Sequence, residues 1–436
     1  MKYEYDVIVV GGGGSGLACA ARAAECGADV LLLEKQPQLG GATGIAIGSF
    51  TASGTPWQRK AGIEDHPDDH EADAAKFGPP AYQAKNNTDL RRFFLEHAAD
   101  TLQWLTGLGL VFHGPNPEPP NRVPRMHNVV PNAKAYIAAL QSRLVRCGGT
   151  IVCDAAVAEL LRDGKRIDGV VVRDRDRPAV YRARRGVVLA AGDYANAPDM
   201  IARFRGERFA VVEGINPHAA GDGHRLAEQA GARMVNMEIT YGPELRFIAP
   251  PRDGFAQLLP ARGLGKIAYL LLDQRLVERY SRWPHFLSTA PEIAYAYVAD
   301  YLRLRPDVAV AGRLLDDVAA ARGLAAPVVR ETVERFNRFA AGTDSDEFGR
   351  RSASILMDGE RWVLLGPVKA YFTTTEGGAA VNRRMQVVDD RGSPIRGLYA
   401  VGQNGLGGMV LWGHGLHIAW AITSGRLVGE ALGRQD

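Results

Sequence analysis

The chain has 436 residues, 46% hydrophobic and 23% charged, an ordinary composition for a globular protein with room for two or three domains and a large core. A net charge of +3 without any long basic block points away from nucleic acid and membrane surfaces as partners, and no apolar run reaches membrane-spanning length. Cys19, Cys26, Cys147 and Cys153 lack zinc or redox spacing and read as reduced thiols; the chain enters its first strand at once, leaving no room for a signal peptide, so the cytoplasm is the expected location.

The opening stretch, YDVIVVGGGGSGLACAARAAECGADVLLLEK, is the most informative. VIVV is a short β-branched run and reads as a buried strand. Gly11, Gly13 and Gly16 fit G-x-G-x-x-G, the segment from Leu17 to Cys26 reads as an Ala-rich helix, and VLLLEK reads as a second strand carrying Glu34. This is the dinucleotide-binding βαβ unit. Gly11 allows the tight turn, Gly13 lets the backbone approach a pyrophosphate, and Gly16 lets helix and strand pack closely. The helix N-terminus offers N–H groups to the phosphates, and Glu34 is placed for a ribose hydroxyl. The plain alternative is a glycine turn that only packs a helix on a sheet.

QPQLGGATGIAIGSFTASGTPWQ follows, with no charge between Lys35 and Arg59, so it is expected to lie buried against something apolar. Asp89–Leu108 and Ala133–Cys147 read as amphipathic helices, separated by a Pro-rich, irregular stretch from His113 to Asn132. AVAELL, GVVVRD and AVYRARRGVVLAAG read as a small antiparallel meander, with RPAVYRARRG as a solvated strand face. GDGHRLAEQAGA reads as another Gly-led helix. From about Met234 to Leu364 the chain is rich in Tyr, Trp and Arg with long helical patterns, and after Gly366 the glycine-rich style returns. The fold class is α/β: a discontinuous Rossmann-type domain over 1–233 and 365–436 with the small meander, and an inserted, mostly helical (α+β) capping domain over 234–364.

Taken together, VIVVGGGGSGLACA with LLLEK, LGGATGIAIGSF, GVVLAAGDYAN, AAGDGHRLAEQAGA, RETVERFNRFAAGTDSDEFGR, EGGAAVN, IRGLYAVGQN and SGRLVGEAL resemble the flavoprotein family of fumarate reductases, succinate dehydrogenase flavoprotein subunits and 3-ketosteroid Δ1-dehydrogenases. The resemblance covers nearly the whole chain and implies FAD as cofactor. Gly11, Gly13, Ser15 and Gly16 would hold the pyrophosphate, and Glu34, with Lys35 beside it, the adenosine ribose. Gly41, Ala42 and Thr43 would run along the flavin side, and Ala46, Ile47 and Gly48 beside the ring near N5. Val157 would meet the adenine through its backbone. Ala191, Gly192 and Asp193 would flank the cofactor, and Gly402 and Gln403 would contact the ribityl chain. Gly415, Leu416 and Ile418 would form a helix N-terminus aimed at the N1/O2 edge, where a reduced flavin carries negative charge. One dinucleotide fingerprint is visible, so the electron donor or acceptor is a visiting partner of unknown identity. No His lies between Leu33 and Phe50, where some relatives attach flavin covalently, so the FAD is expected to be noncovalent; no metal site is expected.

On the substrate side the sequence departs from the dicarboxylate enzymes. Thr374 stands where they carry a His before T-x-G-G, and Trp412 where they carry the Arg that grips a carboxylate. In the ketosteroid enzymes a Tyr and a glycine N–H bind the substrate ketone; here Gly415 keeps the backbone donor and Leu411 replaces the Tyr, with His414 as a possible second donor or a packing residue. His417 reads as structural. Tyr241 and Tyr280, then Tyr295 and Tyr297, are acid–base candidates, each weighed against simple packing, and Arg246 is a domain bridge or an anion partner. The expected reaction is α,β-dehydrogenation of a carbonyl compound, of the cyclic ketone kind. The alternative is reduction of an activated C=C bond in an unsaturated acid or enone; a lesser one is a flavin redox sensor without turnover.

Overall fold

The computed structural model describes residues 3–173, 178–247, 267–282, 298–346 and 356–434. The chain divides into two compact units, 1–243 with 371–436, and 244–370.

The first unit is organised by a parallel sheet. Strand β1 (Glu4–Val10) runs into helix α1 (Gly14–Glu25), which returns to β2 (Val30–Leu33). β1 lies between β2 and β9 (Ala179–Leu189), parallel to both, with Val7 opposite Val30 on one side and Gly186 on the other. β6 (Thr150–Val152) extends the sheet beyond β2, and β12 (Pro394–Ala400) extends it beyond β9. The side chains of VIVV and VLLL are buried to the last atom or nearly so, as expected for strands covered on both faces. The outer half of β9 turns antiparallel to β8 (Arg166–Arg173), which pairs with β7 (Ala156–Asp163); this is the expected meander, continuous with the parallel sheet. Its basic face is solvated and ion-paired, Arg182 to Asp168 and Arg184 to Asp6.

Two glycine devices fix the first turn. Gly11 has φ +111°, and a Cβ on Gly16 would sit 1.9 Å from the Gly11 carbonyl oxygen, so helix and strand meet at backbone contact. The other face of α1 is pressed against α5 (Leu416–Gly433) in the same way. A Cβ on Gly425 would lie 2.3 Å from the Ser15 oxygen, and one on Gly429 2.3 Å from the Cys19 oxygen. Glycines at i and i+4 make a flat stripe that lets the two helices approach this closely.

Helices α2 (Thr88–Gly107) and α3 (Lys134–Arg146) match the amphipathic segments, burying Phe94, Leu95, Ala98, Leu102 and Leu105, and Tyr136, Leu140 and Leu144 respectively. The Pro-rich stretch between them is not irregular throughout. It contains the end of β4 (Val111–Asn116) and all of β5 (Met126–Val130), in a three-stranded antiparallel sheet with β3 (Ser49–Thr51). β5 pairs with the nearby β4, His113 facing Asn128, and with the remote β3, Phe50 facing His127, and local composition carried no sign of the second pairing. The uncharged segment after Glu34 divides in two. Ser49–Ala52 and Thr55 are buried, whereas Ile45 and Ile47 remain 51% and 46% exposed.

The second unit is α+β. Strands Ala268–Asp273 and Ala309–Gly312 flank the long strand Trp362–Phe372 antiparallel, Leu272 facing Val363 and Val310 facing Leu364. Alternation along that strand sends Trp362 and Leu364 to one apolar cluster and Val363 and Leu365 to another. Helices Gln274–Tyr280, Val298–Leu304, Leu315–Ala320 and Ala326–Ala340 belong to the same unit.

Candidate functional site

Three regions of the first unit carry the candidate site, and the first is the start of α1. The α1 N-cap is Gly13, and no side chain caps that helix end. A Cβ on Gly13 would meet nothing closer than 3.8 Å, so its backbone is open to close approach. Glu34, buried at the end of β2, accepts the Gly12 N–H at 2.7 Å through Oε2 and the Gln36 N–H at 2.8 Å through Oε1. Those two bonds aim the carboxylate while leaving lone pairs for a further donor. The Lys35 ammonium is bound to Asp222 at 2.6 Å and to the His218 carbonyl at 2.7 Å, at the start of α4 (Asp222–Gln229). Val157 lies on β7 opposite Val172, two residues beyond the Ala155 N–H that donates to the Glu34 carbonyl.

A buried polar lattice joins the middle of the site. Asn404 accepts the Ala191 N–H at 2.6 Å and donates to the Gly192 carbonyl and to His224 Nδ1. His224 Nε2 lies 2.9 Å from the Gly377 carbonyl and must donate to it, which leaves Nδ1 as the acceptor of a neutral ring. Burial holds His224 neutral, its pKa lowered to about 4. Asp193 is buried as well. It accepts the Ala195 N–H and the Thr374 hydroxyl, both at 2.8 Å, and burial raises its carboxyl above the ordinary range. Gln403 donates to Thr374 and to the Thr375 carbonyl, while its buried Oε1 has no partner among the described residues.

The third region lies at the N-terminus of α5. Strand β10 (Thr240–Tyr241) pairs antiparallel with β11 (Thr374–Thr375), so Tyr241, just before the second unit, faces Thr374, just after it. The Tyr241 ring stands 4.8 Å from Trp412 at 71°, and Tyr82 lies 5.8 Å from Trp412 on a near-perpendicular plane. Such edge-to-face packing is favourable for aromatic rings. The Trp412 indole N–H is buried without a partner among the described residues. The segment before Trp412 is clamped by the start of α2: Asn87 binds the Gly407 carbonyl and Arg91 the Val410 carbonyl, both at 2.8 Å. Arg91 is in turn fixed by Glu71.

The same region contains a pair that the sequence reading missed. Glu376 is fully buried; its Oε2 accepts the Leu411 N–H at 3.2 Å and its Oε1 sits 3.0 Å from His417 Nε2. His417, in the first turn of α5, is 25% exposed and its ring lies 6.3 Å from that of Tyr241. The one sequence signal was an acidic residue inside an otherwise apolar, glycine-rich T-x-G-G segment.

The four predicted catalytic residues are not all gathered here. Gly415 and Tyr241 are. Gly415 is the N-cap of α5 with φ +85°, and a Cβ there would lie 2.5 Å from Thr51 Oγ1. His414 is turned outward, its Nδ1 paired with Glu118, and its side chain is 44% exposed. Tyr280 is the half-buried last residue of a helix in the second unit. Arg246 pairs with Glu244 there, and Tyr295 and Tyr297 lie outside the described residues. Among the described residues no cluster of His, Cys, Asp and Glu could hold a metal ion.

The comparisons with known proteins bear on this geometry. A family described as FAD binding domain matches residues 6–413. The chain belongs to that family. Curated relatives include an NADH:fumarate oxidoreductase of Klebsiella pneumoniae, 27% identical over 92% of this chain and 44% of its own length. The fumarate reductase (cytochrome) of Shewanella frigidimarina is 26% identical over 98% of this chain and 76% of its own length, and the 3-oxosteroid 1-dehydrogenase of Mycolicibacterium smegmatis 24% identical over 92% and 91%. The chain thus spans less than half of the first of these relatives and about three quarters of the second. Among solved structures, a flavocytochrome c3 fumarate reductase in its open conformation superposes with a TM-score of 0.78 at 25% identity, covering 99% of this chain and 78% of that one. The 3-ketosteroid-Δ4-(5α)-dehydrogenase of Rhodococcus jostii shares the fold, with a TM-score of 0.68 at 23% identity, covering 100% and 98%.

The cofactor is therefore FAD, and the protein is a flavin-dependent oxidoreductase of this family. The residues present fit the group. An uncapped, glycine-lined helix start suits a pyrophosphate, a pre-aimed carboxylate suits a ribose, and the exposed Ile45 and Ile47 offer apolar surface to a ring. Among the described residues no helix is long and apolar enough to cross a membrane.

Proposed function

We propose that the protein moves hydrogen between FAD and the α,β carbon pair of a carbonyl compound, and that its substrate is a ring-shaped molecule rather than a small dicarboxylate. The observation that carries this reading is the packing of Trp412 between Tyr241 and Tyr82 at the start of α5. An indole cannot grip a carboxylate as a guanidinium fork does. Three aromatic side chains together offer flat apolar walls to a flat apolar ligand. FAD, when bound, supplies the two-electron chemistry. The chain's own part is to orient the ring, exclude water, and offer N–H groups of the α5 first turn to a carbonyl oxygen. Those groups stabilise an oxygen that gains negative charge more than they stabilise a neutral ketone, which lowers the barrier.

In the oxidative direction the reaction is desaturation of a cyclic ketone. Reduction of a conjugated C=C is the second reading. The names of several relatives favour it: fumarate reductases, a vinyl phenol reductase, a urocanate reductase and a digoxin reductase. Anaerobic mixing tests both. Cyclic ketones should bleach the oxidised flavin, or cyclic enones should restore the colour of the reduced flavin, whereas fumarate should do so slowly and bind weakly. Rapid reoxidation by fumarate would overturn the ring-substrate reading.

A further inference from the structure

We propose that His417, held by Glu376, is the group that gives and takes the substrate's α-proton. The proposal rests on the function proposed above and adds the acid–base residue to it. His417 occupies the first turn of α5, beside the aromatic wall of Tyr241 and Trp412. Its Nε2 donates to a carboxylate that is fully buried, and the second oxygen of that carboxylate is itself fixed by the Leu411 N–H. A carboxylate locked by backbone orients the imidazole and chooses its tautomer, which leaves Nδ1 as the working nitrogen. A nearby base oriented by a third group is the arrangement that proton-transfer sites share. The charged and titratable groups around it are Glu376, Tyr241 and, through space, Asp193.

The other candidates fit less well. His414 is turned onto Glu118 at the surface. Tyr241 is packed edge-on against Trp412, and Asp193 already accepts two hydrogen bonds in the buried lattice.

In the oxidative direction the α C–H bond breaks and its proton goes to His417 Nδ1. The electron pair left behind forms the new C=C bond as hydride leaves the β-carbon. The substrate loses two electrons and FAD gains them. In reverse, hydride reaches the β-carbon and His417 delivers the proton to the α-carbon. That delivery comes from one fixed direction, so the new stereocentre has one hand.

The test uses the holoenzyme, reduced anaerobically with dithionite, and 2-methylcyclohex-2-enone as the probe. The rate of flavin reoxidation and the enantiomeric excess of the 2-methylcyclohexanone formed are both measured. The wild-type enzyme is expected to give one enantiomer in excess, with a slower rate in D2O. His417→Gln should slow reoxidation about a hundredfold or more and make the product racemic. Its FAD content, and its affinity for the probe from perturbation of the oxidised flavin spectrum, should stay within about twofold. Glu376→Gln should cost about tenfold and keep the preferred enantiomer. The double variant, His417→Gln with Glu376→Gln, leaves no buried charge unpaired and should behave as His417→Gln does; it tests the proposal should the single variant fold poorly. Wild-type rate and enantiomeric excess in His417→Gln would overturn the proposal while the ring-substrate reading stands. A wild-type enzyme that the enone does not reoxidise overturns that reading and this proposal together, before any substitution is made.

Discussion

At the start of α1, Gly11, Gly13, Gly16 and Glu34 come from one short stretch, and a pyrophosphate held there as expected would meet mainly backbone N–H groups. At the start of α5, Tyr241, Thr374, Glu376, Trp412 and His417 come from distant parts of the chain, and side chains form the surface proposed to meet the substrate. The first kind of site tolerates almost no change of residue, because the backbone itself would have to move. The second can be rebuilt one side chain at a time while the frame stays. That difference explains how a shared cofactor domain comes to serve relatives named for fumarate, vinyl phenol, urocanate, digoxin and oxosteroids.

The contrast can be broken in a definite order. The largest effect belongs to Gly16→Ala, whose new methyl would meet the Gly11 carbonyl at 1.9 Å. Backbone at that distance cannot yield as a flexible side chain would, so a loss of more than about 3 kcal/mol is expected. Thermal melting of the holoprotein and its flavin absorbance should both collapse. An Ala variant that retains FAD and melts normally would contradict the geometry of the turn.

Acid comes next, and it strikes buried histidines rather than either end. Burial lowers His224 and His127 to about 4, against an ordinary 6.5. Between those values the unfolded chain takes up protons that the folded chain refuses. Stability therefore rises with pH through that window and is lost as pH falls. Each histidine should cost about 2 kcal/mol between pH 7 and pH 5. Asp193, raised by burial, works in the opposite direction. Melting temperatures should drop over that range, and His224→Gln should flatten part of the drop.

Glu34→Ala removes the pre-aimed carboxylate and should weaken FAD binding about ten- to a hundredfold while the fold survives. Titration of acid-stripped apoprotein with FAD measures it. The same preparation checks that acid releases all yellow colour from the wild-type protein, as noncovalent FAD requires. The smallest effect is expected for His414→Ala. Its ring is paired with Glu118 on an exposed rim, so flavin reduction by the substrate should change by about threefold or less. A hundredfold loss would return His414 to the substrate and move the working group away from His417.

The nucleotide-binding frame was legible in the sequence because it is local. The glycine spacing, the Ala-rich helix and the acid after VLLL each have a physical reason to sit where they do within a few residues of one another. The α2 and α3 helices were legible from their periodicity. The pairing of Phe50 with His127 was not, since it joins segments far apart in sequence. The Glu376–His417 pair was hidden for the same reason. Each residue alone has an ordinary explanation, and only folding places a fully buried carboxylate 3.0 Å from that ring. Trp412 was noticed as a missing Arg, yet its edge-on contact with Tyr241 has no signature in either segment.

The glycine stripe of α5 against α1 has a consequence for how the protein is made. These helices interlock at backbone distance, yet the ribosome must synthesise the whole of the second unit between them. At ordinary elongation rates the first helix emerges on the order of tens of seconds before its partner exists. During that wait the face of α1 that α5 later covers stays open on that side. The fold is thus one of long-range closure, slow to complete and exposed to wrong partners meanwhile. The cradle proposed for the flavin is complete only once α5 has docked against α1, so cofactor capture should follow the synthesis of α5 rather than that of α1.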